Sequence, residues 1–181
     1  MRSNWLLLLA LTLVPFAKVV SGGQVSPYSG QEDRAIKALS KEEVDGYFSG
    51  DGMGLAKAAE LNHYPGPKHV LELAKQLNLS DEQRTTTQTI FDRMKSNAVS
   101  LGKQLVERER LLDSRFANGT ISNDELDQLL AEISELQGKV RAVHLGAHLA
   151  EKLLLTPDQI SRYDTLRGYR EPSNHDQHTG H

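Results

Sequence analysis

Leu126 to Leu154 reads LDQLLAEISELQGKVRAVHLGAHLAEKLL, and the fold follows from its spacing. Leu126, Ile133, Val140, Ala147 and Leu154 recur every seven residues, and Leu129, Leu136, Val143 and Ala150 interleave three residues after each. Apolar residues at those two registers form one continuous seam along a helix, the a and d positions of a heptad. Upstream, Phe91, Met94, Ala98, Leu101, Leu105, Leu112 and Phe116 fall in a three-four alternation, which predicts a second striped helix. The charged run Glu107-Arg108-Glu109-Arg110 crosses that second stripe. Between the stripes stands Ala117-Asn118-Gly119-Thr120, whose Asn and Gly tolerate the left-handed backbone that ends a helix. Two stripes joined by so short a turn pack as an antiparallel hairpin.

Start signals bound the arms. Ser80-Asp81-Glu82-Gln83 and Ser122-Asn123-Asp124-Glu125 both read as capping boxes, in which the hydroxyl and the residue three further on cap each other's backbone. Thr156-Pro157-Asp158-Gln159 reads as a third, with proline at the first helical position, and opens a last short helix toward Arg167 that Gly168 closes. Further upstream the pattern breaks into short pieces: Arg34 to Leu39, a helix from Ser40 through Phe48, an Ala-rich turn from Gly54 to Leu61, a Pro-rich bend at Asn62 to Pro67, and a helix from Lys68 to Leu77. The fold class expected is all-α, a long antiparallel helical hairpin with short flanking helices. The organisation expected is a signal peptide over residues 1–22, a flexible leader with short N-terminal helices over 23–67, the hairpin domain over 68–169, and a disordered His-containing tail over 170–181.

The signal assignment rests on Arg2, the apolar run Trp5 to Phe16, and a small-residue exit near Ser21 or Gly22. As a helix, Trp5 to Ala17 spans about 20 Å, short of the roughly 30 Å hydrocarbon core. This predicts export to the periplasm with the segment cleaved and the membrane met only in transit; the alternative reading is an uncleaved membrane anchor. The chain has no cysteine, which excludes disulfides, thiol catalysis, cysteine zinc sites and a lipid-modified cysteine. Net charge is −3, and without Arg2 and Lys18 the remainder carries −5, which argues against a nucleic-acid partner. No nucleophile elbow, phosphate loop or zinc-protease helix motif occurs, and Glu107 and Glu109 point to different faces of their helix, so the chain does not read as an enzyme.

Seven histidines carry the remaining chemistry. His144 and His148 stand one turn apart, and Glu151 continues their stripe. Imidazoles at that spacing share a zinc or other divalent transition metal, with the carboxylate as a third ligand and His63 or His69 as further donors. The heptad sets His144 beside the seam and leaves His148 mostly exposed. His175, His178 and His181 repeat in the tail, where ordering the chain would weaken any metal site. On the first arm, Arg93, Lys103 and Arg108 border Leu101 and Leu105. An apolar surface with a basic rim suits loose binding of unfolded, acidic chains. The two stripes bury too little to hold a lone hairpin in order, so a dimer or a wrapped N-terminal segment is expected.

One repeat links these parts. Leu79-Ser80-Asp81-Glu82-Gln83 returns 76 residues later as Leu155-Thr156-Pro157-Asp158-Gln159. Two such boxes bracketing one hairpin, behind a signal-like segment, resemble the LTXXQ-motif periplasmic proteins of the Spy/CpxP family, together with the ZraP- and CnrX-type heavy-metal proteins. The resemblance covers about Leu77 to Tyr169. It implies a cradle-like helical homodimer of the periplasm acting in envelope stress or heavy-metal tolerance. The roles it implies are an ATP-independent chaperone for unfolded proteins, an adaptor for an envelope-stress sensor kinase, or a zinc, nickel or cobalt sensor or buffer. No cofactor is required for the first two.

Overall fold

The computed structural model describes residues Val25 to Glu171. The expectations for the signal segment and for His175, His178 and His181 lie outside the described residues. Val25 to Glu32 belongs to a small unit of its own, built of two successive turns closed by Ser29 N–H on the Ser26 carbonyl and Gln31 N–H on that of Tyr28. The main unit begins at Asp33.

Among the described residues every regular element is helical: α1 (Lys41–Ser49), α2 (Lys57–Glu60), α3 (Pro67–Glu72), α4 (Asp81–Ala117), α5 (Asn123–Leu154) and α6 (Pro157–Leu166). The long helices α4 and α5 pack against each other as the hairpin, and Gly119, at φ +63°, closes the turn. The heptad seam is the buried line of α5: Leu129, Ile133, Val140 and Ala147 are each under a tenth exposed. On α4 the three-four stripe is buried at Ala98 and Leu105, while Phe116 at the turn is exposed.

Ser80 and Thr156 form full capping boxes with Gln83 and Gln159. Ser122 is a one-sided cap: its hydroxyl accepts from Glu125 N–H, but the Glu125 carboxylate pairs with Arg115 Nε at 2.7 Å instead of turning back. A cation across the turn outcompetes the backbone amide for that carboxylate. The expected helix over Arg34–Leu39 is also absent. It is a chain of bends whose Lys37 N–H goes to Asp113 of α4, because so short a segment cannot offset helix nucleation while a tertiary partner takes its donor. The helix expected over Lys68–Leu77 ends at Glu72 and continues as single turns to Asn78, at φ +51°.

Beyond its contact with α5, α4 buries Ile90, Gly102, Val106 and Glu109. α1 packs on α4, with Val106 joining Ile36 and Leu39 in a small core edged by Val44 and Tyr47. Gly102 permits this approach: a Cβ there would lie 2.5 Å from the Tyr47 carbonyl oxygen. Desolvation raises the Glu109 carboxyl above its usual value. A second core joins Val70, Ala74, Leu77 and Leu79 to Leu155 and Tyr163. It lies where the two motif leucines, Leu79 and Leu155, meet, and the segment from Gly50 to Gly66 leads into it along α5 and α6.

Candidate functional site

The two motif boxes are one structure. Gln83 and Gln159 pair reciprocally, each Nε2 donating to the other's Oε1 at 2.9 Å. Each Oε1 also accepts from the backbone of its own cap, Ser80 N–H at 3.1 Å and Thr156 N–H at 2.9 Å. The second amide hydrogens reach the Leu154 and Leu77 carbonyls. Leu79, Ser80, Gln83, Leu155, Thr156 and Gln159 therefore form a structural junction at the base of the hairpin.

One end of the α5 seam carries the chemistry. His144 and His148 are both under a tenth exposed. The expectation that His148 is exposed is overturned by the chain between α2 and α3, which lies over it. His148 Nδ1 meets the Tyr64 carbonyl at 2.7 Å, and Gly66 stands where a Cβ would fall 2.9 Å from the ring. With Nδ1 carrying the proton, His148 keeps a free Nε2 lone pair, the arrangement of an oriented metal ligand. His144 has no hydrogen-bond partner for Nε2, and burial holds its pKa below the usual value.

The remaining proposed donors do not join them. Glu151 is fully buried; its Oε1 accepts from Thr87 Oγ1 of α4 at 2.8 Å across the hairpin seam, and its Oε2 has no hydrogen-bond partner. Desolvation pushes its carboxyl up to about 7. His63 turns to Asp164 of α6, with Nδ1 2.8 Å from Oδ2. His69 pairs with Glu72 at 2.9 Å and lines a cavity beside the two histidines. Among the described residues no three imidazole or carboxylate groups are placed to hold one metal ion.

Beside the histidines is a cavity of about 450 Å³, walled by α4, α5 and the Ser49 to His69 segment. Sequence reading missed its organising residue, Glu60. Glu60 Oε1 accepts from Tyr163 Oη at 2.6 Å and Tyr169 Oη at 3.0 Å, and lies 3.4 Å from Arg167 Nε; Oε2 is 3.7 Å from His148 Nδ1. Tyr163 Oη also accepts from Gly66 N–H at 3.3 Å, and burial raises the phenol's pKa. Lys152 completes the seating of the segment, donating to the His63 carbonyl at 2.9 Å with its ammonium 3.9 Å from the centre of the Tyr64 ring. Nothing local marked Glu60, because the tyrosines that donate to it stand more than 100 residues away.

The first-arm binding surface is altered. Arg93 and Lys103 are exposed, but Leu105 is fully buried and Leu101 partly so, as their place in the inward three-four stripe requires. Arg108 pairs with Glu132 of α5 at 2.8 Å, in a polar groove of about 460 Å³ that Lys103 also lines. Leu105 thus offers no client surface, and Arg108 is already paired within the chain. Among the described residues an uncovered apolar surface lies on α5. Gly138, Ala142, Leu145, Gly146, Leu149 and Leu153 share one helix face, with Leu149 55% and Leu153 89% exposed, and a Cβ at Gly138 or Gly146 would meet nothing within 4 Å.

No protein-family model matches this chain, and neither the curated proteins nor the solved structures contain a match.

Proposed function

We propose that the chain is a non-enzymatic periplasmic binding protein that acts on other polypeptides, as a chaperone or stress-signalling adaptor of the Spy/CpxP kind. The observation that carries this reading is the α5 face from Gly138 to Leu153. It is apolar, flat at its glycines, and without a partner among the described residues. Leucines at 55% and 89% exposure on one helix offer apolar area that water solvates poorly and that an extended or misfolded segment can cover. The paired motif boxes support the same reading through their likeness to the family. The client surface moves from the first arm to the second, while Arg93 and Lys103 remain exposed cations on the same hairpin. A homodimer would use the same apolar face.

The test is suppression of aggregation of a denatured client without ATP, by the wild type and by Leu149→Asp/Leu153→Asp. Both leucines are exposed, so the fold should survive, and loss of suppression is expected. Suppression that is unchanged in the double variant would defeat the reading. Light scattering on both proteins separates the outcomes: a wild-type dimer that becomes monomeric assigns the face to a second copy.

A metal-sensing or metal-buffering role is the second reading. In its favour stands the buried His144–His148 pair, with His148 oriented by the Tyr64 carbonyl. Zinc calorimetry on wild type and on His144→Ala/His148→Ala tests it, and equal affinity in the two proteins would remove it.

A further inference from the structure

We propose that the cavity beside His144 is a binding site for a small organic anion, one bearing carboxylate or phosphate groups. At about 450 Å³ it falls in the size range of small-molecule pockets. Four elements each bring one cation to its lining: Lys57 from α2, Lys68 from α3, Lys95 from α4, and Arg167 from the end of α6. Against them stand two carboxylates, Asp51 and Glu60, in a chain whose net charge is −3.

Those carboxylates are already engaged. Asp51 Oδ2 accepts from Ser49 Oγ at 2.7 Å, and Glu60 is held by Tyr163, Tyr169 and Arg167. Among the described residues Lys57, Lys68 and Lys95 have no carboxylate within ion-pair distance. The lining therefore carries uncompensated positive charge in a concave setting, which concentrates anions and repels free cations. His144 adds a buried polar group. It is 3% exposed and it lines the cavity, with Nδ1 4.0 Å from where a Cβ of Gly52, another lining residue, would stand. With its proton on Nδ1, a neutral imidazole gives an anionic oxygen one directed hydrogen bond, which surface lysines alone do not supply. Phe91 and Met94 provide an apolar wall, with the Lys95 ammonium 5.9 Å from the centre of the Phe91 ring, so the site suits an organic anion with a short carbon skeleton. The inference stands apart from the α5 face, which lies on a different side of that helix.

Calorimetry with citrate, inorganic phosphate and zinc chloride as separate probes tests it, on the wild type and on Lys57→Gln/Lys68→Gln/Lys95→Gln. These lysines are exposed, and circular dichroism checks that the variant keeps its helices. Citrate should bind the wild type, more weakly as sodium chloride rises from about 50 to about 300 mM. The triple variant should bind it at least about tenfold more weakly. Phosphate binding without citrate binding would assign the site to phosphate-bearing ligands. In the wild type, citrate or phosphate should shift the His144 imidazole resonances. The proposal falls if neither anion binds, if the helical triple variant binds as tightly as wild type, or if zinc alone binds and moves His144 while neither anion does.

Discussion

Gln83 and Gln159 donate to each other at 2.9 Å while each accepts from its own helix cap, so the two ends of the hairpin are tied by a single pair of amides. One side chain caps a helix; two, facing, make the caps interdependent. Replacing either glutamine by alanine removes a capping acceptor and leaves its partner's amide hydrogen unpaired in a half-buried setting, a loss of about 1–3 kcal/mol. The double variant Gln83→Ala/Gln159→Ala should cost less than the two single losses together, because the second change removes the orphan created by the first. A double-mutant cycle from urea unfolding should show coupling of about 1 kcal/mol, and strictly additive losses would mean that the pair contributes nothing beyond two independent caps.

Glu151 gives this protein an unusual pH profile. Its unfolded carboxyl titrates near 4.5, whereas burial holds the folded one at about 7. Between those values the folded state binds more protons, so this contribution makes stability fall as pH rises from about 4.5 to 7, then level off. A shift of that size is worth a few kcal/mol at most. His144 acts in the other direction: its lowered folded pKa removes stability as pH falls through the ordinary histidine value of 6.5. Glu151→Gln isolates the first effect. It keeps an acceptor for Thr87 Oγ1, so the variant should be more stable than wild type at pH 8 and little different at pH 4. Thermal melts across that range check it, and parallel wild-type and variant profiles would show that Glu151 does not titrate in this window.

The hairpin was legible in the sequence because its signals are local. Ser80, Thr156 and the seven-residue repeat each act within a turn or two of helix, and each appears in the structure as the spacing requires. The covering segment was not legible. Its contacts join Glu60 to Tyr163 and Tyr169, and His63 to Asp164, across about 100 residues, and no periodicity encodes a partner at that distance. That same segment buries His148, so a heptad register that placed this histidine on the solvent side could not foresee its roof. Leu105 failed for a simpler reason: it belongs to the three-four stripe, and a residue of the stripe faces inward and leaves nothing for a client to touch.

Glycines on the two long helices separate packing from propensity. Gly102→Ala should gain helix propensity of about 1 kcal/mol, yet its Cβ would meet the Tyr47 carbonyl oxygen at 2.5 Å and push α1 away. The net change should be destabilising by about 1–3 kcal/mol, the usual range for overpacking. Gly138→Ala and Gly146→Ala on α5 meet nothing and should each stabilise by about 0.5–1 kcal/mol. Chemical denaturation of the three single variants gives the comparison, and a stabilised Gly102→Ala would mean that α1 is loosely seated.

Tyr163 should govern how firmly the segment over the histidines is held. Its hydroxyl donates to Glu60 and accepts from Gly66 N–H, so one buried oxygen joins α6 to both ends of the α2–α3 connection. Tyr163→Phe keeps the ring in its core with Val70, Leu77 and Leu155 and removes only the oxygen. Gly66 N–H then loses its partner, and Glu60 Oε1 keeps only Tyr169 and Arg167. The cost should be about 1–3 kcal/mol and should fall mainly on the connection, because α4 and α5 do not depend on this bond. Amide hydrogen exchange should therefore speed up from Leu61 to Gly66 while the middles of α4 and α5 keep their protection. The accompanying loss of the Tyr64 carbonyl's hold should shift the His148 ring resonances. Uniformly faster exchange along the hairpin would show instead that Tyr163 stabilises the whole unit and that the connection does not open separately.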